Sequence, residues 1–239
     1  MLGGQNMNRK YVFFDCWDTV IAYGEKEKDG DLKNLYPFLK EKDEITLEQF
    51  CTRLREIYKV YYAQNQWEVS CQALLALLIE GAGLSLSISY SKAEQLICEN
   101  LNPGLIPNLD KLFEYFMKNN IRCSVLSNTT LSEENTKGFI DRMIPNAPFE
   151  FVVASSRVGA KKPNPLFFKL GAAKAGVEPQ EAIYIGDNFV ADCYGSSLAG
   201  MQPVWFNWKN HNPNPDVHVP NYLEVSNYLE LIDLLDRQL

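Results

Sequence analysis

Four short apolar runs, each stopping abruptly on polar residues, constrain this chain more than any other feature. Tyr11 to Phe14 stops on Asp15, and Ile121 to Leu126 stops on Ser127, Asn128 and Thr129. Phe151 to Ala154 leads into GAKKPNPLF, and Ala182 to Ile185 stops on Gly186, Asp187 and Asn188. A strand that is apolar throughout is buried on both faces, as in a parallel sheet. In open sheets of that kind ligands bind beyond the carboxyl ends of the strands, so the polar stops mark where chemistry is expected. From Pro107 onward the runs alternate with helical patterns at Leu109 to Asn119, Glu133 to Met143, Pro165 to Ala175, Ala191 to Ala199 and Asn227 to Arg237. A further strand reads at Pro203 to Phe206, and Asn207 to Pro220 reads as a loop. The alternation predicts an α/β fold, a mostly parallel sheet with helices on both faces.

Between the first run and this alternation the character changes. Residues 25 to 44 are densely charged, and helical periodicity then dominates to about residue 101. Capping-box patterns at Thr46 to Gln49 and Ser91 to Glu94 start helices, and Gly81 and Gly83 stop one. The block reads as an inserted helical domain. Its aromatic residues Phe50, Tyr58, Tyr61, Tyr62 and Trp67 fall at helical spacing that suits a core of its own, with a pocket lining as the alternative.

A length of 239 residues with 46% hydrophobic and 12% aromatic content suffices for an α/β core and a smaller second unit. The formal charge of −7, with no cluster of Lys and Arg, argues against nucleic acid or an anionic membrane as partner. No apolar stretch approaches the ~18 residues of a membrane span. The start MLGGQNMNRK lacks the apolar segment of a signal peptide, so a cytoplasmic setting is expected, with Met7 as the natural start. Cys16, Cys51, Cys71, Cys98, Cys123 and Cys193 form no CxxC pair and read as small buried apolar residues in a reducing compartment. Only Cys16, beside Asp15, is arguable as a reactive thiol. His211 and His218 lie in the Pro/Asn-rich loop, so neither a histidine triad nor a zinc site is expected.

Ser127, Asn128 and Thr129 offer a hydroxyl, an amide and a hydroxyl that can cradle an oxyanion or simply form a polar turn. Lys162 precedes Pro163, which restricts it to extended backbone, and Asn164 and Pro165 suit the start of the next helix. Its ammonium is therefore held at a defined point and suits charge neutralisation, while Lys161 is assigned to solvent. Gly186 permits close approach, and Asp187 and Asp192 can face one polar site from a strand end and the following helical turn. With Asp15 they make an oxygen-rich pocket suited to Mg²⁺, the lysine offsetting part of the acidic charge.

The segments FFDCWDTV, VLSNT, VGAKKPNPLFF and YIGDNFVAD, followed by LAGMQPVWFN, resemble in kind and order the four motifs of the haloacid dehalogenase-like hydrolase superfamily. The resemblance covers nearly the whole chain. It implies a Rossmann-like doubly wound parallel sheet with an α-helical cap inserted after the first motif: residues 7–21 and 104–239 as catalytic core, 22–103 as cap. It further implies Asp15 as a nucleophile that forms an aspartyl-phosphate, with Ser127 holding the phosphoryl oxygens, Asn128 nearby, and Lys162 stabilising charge. Mg²⁺ would be held by Asp15, the backbone carbonyl of Trp17 and Asp187, with Asp192 completing the site directly or through water. Thr19 would shape the loop, and Trp17 would border the substrate, a small phosphorylated molecule.

One position departs from the pattern. Two residues after the nucleophile the family's phosphatases carry a second Asp as general acid/base, and this chain has Trp17. An indole N–H donates a hydrogen bond but moves no proton near neutrality, and losing a general acid/base costs about 10² to 10⁴ in rate. Asp18 supplies a carboxylate one residue further on, where glycine is usual. The leading reading is a Mg²⁺-dependent phosphatase in which Asp18 or water replaces the missing acid, or in which only good leaving groups are hydrolysed. The second is a phosphate-binding or regulatory protein with little turnover. The third is a 2-haloacid dehalogenase, which also carries an aromatic residue here. Such enzymes need no metal and usually lack the Gly186–Asp187 pair, and no arginine lies between Arg9 and Arg53 to hold a halide or carboxylate.

Overall fold

The structure is a computed structural model and describes residues 11–22, 30–64 and 68–236. Met7, Trp67, Arg237 and the side chain of Tyr62 lie outside that description. Strand β1 (Tyr11–Phe14) is fully buried along its length and stands third in a six-stranded sheet ordered β5-β4-β1-β6-β7-β8. The neighbours are β4 (Arg122–Ser127), β5 (Phe149–Ala154), β6 (Ala182–Gly186), β7 (Gln202–Phe206) and β8 (Leu223–Val225), and every pair is parallel. The three residues of β8 are too few to show periodicity, and this strand was not expected from the sequence.

The period-2 geometry of strands sorts β1 between two apolar layers. Val12 and Phe14 join Ile183 and Ile185 beneath helices α4 (Leu109–Lys118), α5 (Glu133–Met143) and α9 (Tyr228–Asp236). Tyr11 and Phe13 join Tyr184, Phe167 and Phe168 beneath α7 (Pro165–Ala175). Helix α4 shows why these segments are helical: Leu109, Leu112, Phe113 and Phe116 recur at spacings of three and four, and all four are buried. Each fully buried Phe contributes about 1.5–3 kcal/mol of transfer free energy.

The helical block has its own core. After a 3₁₀ segment at Gly30–Phe38, α1 (Leu47–Gln64), α2 (Cys71–Gly81) and α3 (Tyr90–Asn100) enclose Leu35, Phe50, Leu54, Leu78, Ile79 and Ala93. Phe50 is therefore a core residue, Tyr61 packs against that core, and Tyr58 is exposed. The box at Thr46 and Gln49 forms, with Thr46 N donating to Gln49 Oε1 at 2.8 Å and Gln49 N to Thr46 Oγ1 at 3.2 Å. The box expected at Ser91 and Glu94 does not. Helix α3 starts earlier, capped by Ser89, whose Oγ accepts from Lys92 N at 3.2 Å. Glu94 is drawn instead to the amino end of α5, where Ser132 N donates to it at 2.7 Å.

Two short strands, β2 (Ile21–Ala22) and β3 (Gly104–Leu105), pair antiparallel where the chain leaves the sheet unit and where it returns. Trp17 and Leu101 pack against both apolar cores. Further contacts join the two units: Cys71 N to Thr130 O at 2.6 Å, Glu68 N to Gly159 O at 3.2 Å, and Arg142 Nη2 to Cys98 O at 2.9 Å. All six cysteines are buried and outside any disulfide. Among the described residues no helix is long and apolar enough to cross a membrane.

Candidate active site

The carboxyl ends of β1, β4 and β6 bring the polar stops together. Lys162 Nζ lies 2.6 Å from Asp15 Oδ1 and 2.7 Å from Asp192 Oδ1, and its side chain is only 2% exposed. Asp15 is fixed at the end of β1 by its own N–H, which donates to Ile185 O at 2.8 Å. Ligand-capable oxygens of Asp15, Asp187 and Asp192 lie within 4.8 Å of one another. Of the residues singled out in the sequence, Asp15, Lys162, Asp187 and Asp192 converge, and Ser127 ends the adjacent strand.

Local chemistry explains the placement of the acids. Asn188 caps the helical turn after β6, its Oδ1 accepting from Val190 N at 3.1 Å and Ala191 N at 2.9 Å. Asp192 Oδ2 in return accepts from Asn188 N at 2.9 Å, which leaves Oδ1 for Lys162. Gly186 is required by this packing, since a Cβ there would stand 2.3 Å from Asp192 Cγ. The turn at Phe189–Tyr194 is wound wider than an α-helix before α8 (Gly195–Ala199) begins, a detail the reading of Ala191 to Ala199 as one helix missed.

The loop after β1 is held by distant residues. Asp18 adopts a left-handed conformation with φ 57°, which explains why glycine suits this position and why Asp, a residue tolerant of that region, can replace it. Trp208 Nε1 donates to the Asp18 carbonyl at 2.7 Å, and Tyr228 donates its hydroxyl hydrogen to the Thr19 carbonyl. The Asp18 carboxylate is paired with Lys209 Nζ at 2.7 Å and is not one of the three that converge. Trp17 is half-buried with its ring centroid 5.3 Å from that of Phe139 on α5, wedged between the two cores.

Asn128 has a more specific partner than a phosphoryl oxygen. Its Oδ1 accepts from Lys162 N at 2.8 Å and its Nδ2 donates to Lys162 O at 3.0 Å, so the carboxamide clasps the lysine backbone. Ser127 Oγ and Thr19 Oγ1 are buried without a hydrogen-bond partner. Such orphaned hydroxyls are costly and call for a ligand or a solvent molecule. Cys16 is buried, and burial followed by the neighbouring Asp15 charge pushes its thiol up, which opposes a thiolate role. His211 and His218 are exposed on the loop. Lys161 is half-buried and near Glu68 of the helical block instead of being wholly in solvent.

Electrostatically the site is out of balance. Burial, then the charges of Asp192, Asp15 and Asp18, push Asp187 up to about 8. Burial, with a smaller contribution from Asp192 and against the opposing Lys162, raises Asp15 to about 6. Three carboxylates converge where one ammonium is at hand, a surplus of buried negative charge. A hard divalent cation fits both the oxygen-only donor set and the surplus.

Comparison with known proteins identifies the family and the fold. The sequence profile of the haloacid dehalogenase-like hydrolases matches residues 46–206. The chain belongs to that family. Among solved structures the fold is similar to a 2-haloacid dehalogenase from Pseudomonas syringae pv. Tomato, with TM-score 0.67 and 22% identity over 96% of this chain and 99% of that one. It is also similar to an HAD phosphatase from Thermococcus onnurineus, with TM-score 0.60 and 21% identity over 95% and 97%. Among curated relatives the glyceraldehyde 3-phosphate phosphatase of Pyrococcus furiosus is 34% identical over 92 residues, and the pyrimidine 5′-nucleotidase PynA of Streptococcus pneumoniae is 35% identical over 92 residues. Each match spans 38% of this chain and 38% of the relative.

Proposed function

We propose that this chain is a Mg²⁺-dependent phosphatase that hydrolyses a small phosphomonoester through an aspartyl-phosphate on Asp15. The observation that carries the reading is one buried ammonium paired with two of three converging carboxylates, beside an unpartnered serine hydroxyl. A carboxylate oxygen of Asp15 attacks phosphorus, and the bond from phosphorus to the ester oxygen breaks with its electron pair leaving on that oxygen. The departing oxygen takes a proton from Asp18 or from water. Water then adds to that phosphorus, its proton passing to the Asp18 carboxylate or to solvent, and the bond from phosphorus to the Asp15 oxygen breaks with its electron pair returning to Asp15, which releases orthophosphate and restores the carboxylate. Ser127 Oγ donates to a phosphoryl oxygen, and Lys162 offsets the negative charge of nucleophile and phosphoryl group. Mg²⁺, held by Asp15, Asp187, Asp192 and the Trp17 carbonyl, would supply Lewis-acid stabilisation of the phosphoryl oxygens when bound.

In this reading residues 22–103 form the cap and residues 7–21 and 104–239 the core. The pocket that selects the leaving group lies between them, as is usual for capped sites. The phosphatase names of the curated relatives support the reaction class. Six buried cysteines, none in a disulfide, suit the cytoplasm. A second reading, phosphate binding with little turnover, is favoured by Trp17 at the usual acid position and by the Asp18 pairing with Lys209.

An aryl phosphate and a 2-haloacid, each with Mg²⁺ and with chelator, test these readings. Metal-dependent phosphate release abolished by Asp15→Asn is expected. Halide release without metal overturns the phosphatase. No turnover by the wild type, with activity gained in Trp17→Asp, establishes the second reading instead.

A further inference from the structure

Tyr184 lies in the middle of β6, fully buried, in the apolar layer formed by Tyr11, Phe13, Leu126, Phe167 and Phe168. The ring of Phe168 meets it edge-on, with centroids 4.8 Å apart and planes at 75°. For that packing a phenylalanine would serve, and a buried hydroxyl without partners would cost stability. This hydroxyl has partners. Lys162 Nζ donates to Tyr184 Oη at 2.9 Å, and Tyr184 Oη donates to the carbonyl of Leu126 at 3.0 Å.

An ammonium has three hydrogens, and a four-carbon stem leaves its direction free until all three are used. Two hydrogens of Lys162 go to Asp15 and Asp192, the groups whose charge it must share with a substrate. Neither carboxylate alone fixes its height above the sheet, because each also interacts with whatever ligand occupies the site. Tyr184 is the third acceptor and the only one of the three carried inside the sheet. Through Leu126 O the same phenol reaches the residue immediately before Ser127, so one side chain registers the lysine against the serine that faces the phosphoryl group. The carboxamide of Asn128 fixes the lysine's backbone.

We propose that Tyr184 is a positioning residue of this site, a buried phenol that sets the direction of the Lys162 ammonium relative to Asp15 and to Ser127. The kinetic part of this inference rests on the phosphatase reading; the geometric part does not.

Tyr184→Phe removes one oxygen and keeps the ring. With an aryl phosphate and Mg²⁺ its kcat is expected to fall by about tenfold to a hundredfold with KM within about threefold, the signature of a misdirected charge in the transition state. In lysine-selective ¹⁵N spectra the wild-type Lys162 ammonium is expected to exchange slowly and to show a nuclear Overhauser contact with the Tyr184 ring, and Tyr184→Phe is expected to broaden or lose that signal. An unchanged kcat overturns the proposal, and so does a fall in kcat with an undisturbed ammonium signal, since the hydroxyl then acts elsewhere. If the wild type shows no turnover, the phosphatase reading fails, and the ammonium signal alone supports or overturns the positioning role. If Tyr184→Phe does not fold, the wild-type spectrum decides: a slowly exchanging ammonium in contact with Tyr184 supports the proposal, and a freely exchanging one overturns it.

Discussion

The two ends of the central sheet carry similar polar groups and treat them differently. At the amino end Tyr11 shares its hydroxyl with Ser124 at 2.6 Å and donates to Glu150 at 2.9 Å, and Glu150 is met by Arg122 at 2.7 and 2.9 Å. One acid meets one base, no hydroxyl of this set is left over, and the ion pair is substantially exposed. At the carboxyl end three acids meet one base, burial raises Asp187 and Asp15, and Ser127 Oγ has no partner. Strands β1, β4 and β5 supply groups to the first cluster and β1, β4 and β6 to the second, so the fold imposes neither pattern. Balance makes the first a closure of the sheet; imbalance leaves the second open to a cation and an anion from outside.

Four substitutions sharpen or break that contrast, taken from the largest effect. Asp15→Asn is expected to reduce phosphate release by about a thousandfold or more while leaving the midpoint of thermal unfolding within a few degrees, since a buried excess carboxylate is neutralised. Addition of Mg²⁺ at about a hundred times its dissociation constant is expected to stabilise the wild type by about 2.7 kcal/mol, read as a rise in Tm. Asp187→Asn should remove most of that rise, and an equal rise in both proteins would place the cation elsewhere. Ser127→Ala is expected to cost about tenfold to a hundredfold in kcat/KM and to leave stability unchanged or slightly higher, because the deleted hydroxyl has no partner to lose. Glu150→Gln at the other end is expected to cost at most about 1 kcal/mol and to leave kcat unchanged.

Glu94 tests whether satisfaction, and not position, distinguishes the two ends. It lies on the carboxyl side of the molecule, yet its partners resemble those of the amino end. Burial opposes its ionisation, but hydrogen bonds from Ser132, Asn135 and Gln72 outweigh burial and hold its carboxyl below the ordinary 4.5. A depressed folded-state value contributes stability above about pH 4.5 that is lost as pH falls through the folded value. Wild type is therefore expected to lose stability more steeply than Glu94→Gln below that pH in denaturant titrations. Parallel acid limbs for the two proteins would show that the helix-end contact carries no net stability.

The parts of this arrangement that the sequence displayed are those in which polarity interrupts an apolar run. Asp15, Ser127 and Asp187 each end a strand, and Lys162 is singled out by its proline, so each is visible without its neighbours. Tyr184 was not visible because a tyrosine inside a strand looks like any other core aromatic; its hydroxyl partners lie on β4 and on the segment before α7. Asn128 was seen, but its pairing with the Lys162 backbone depends on two loops meeting 34 residues apart. The start of α3 was misplaced because Ser89 and Ser91 are both good caps and the carboxylate that would complete the second box has a better partner on α5. The grip of Trp208 and Tyr228 on the first loop likewise joins residues nearly the whole chain apart.

The position of β1 also sets a schedule for the molecule's birth. This apolar strand precedes the other five strands of its sheet in the chain and ends up near the middle of it, yet Tyr11 must pair with Arg122 on one side and Ala182 on the other. A chain emerging at about 5–20 residues per second must therefore carry YVFF unpaired on both edges while the helical block is made, and on one edge until β6 follows. The helical block, built from local contacts, can form in that interval, whereas the sheet must wait for its distant partners. The residue on which the proposed chemistry depends is thus made well before the lysine and the two acids that come to surround it.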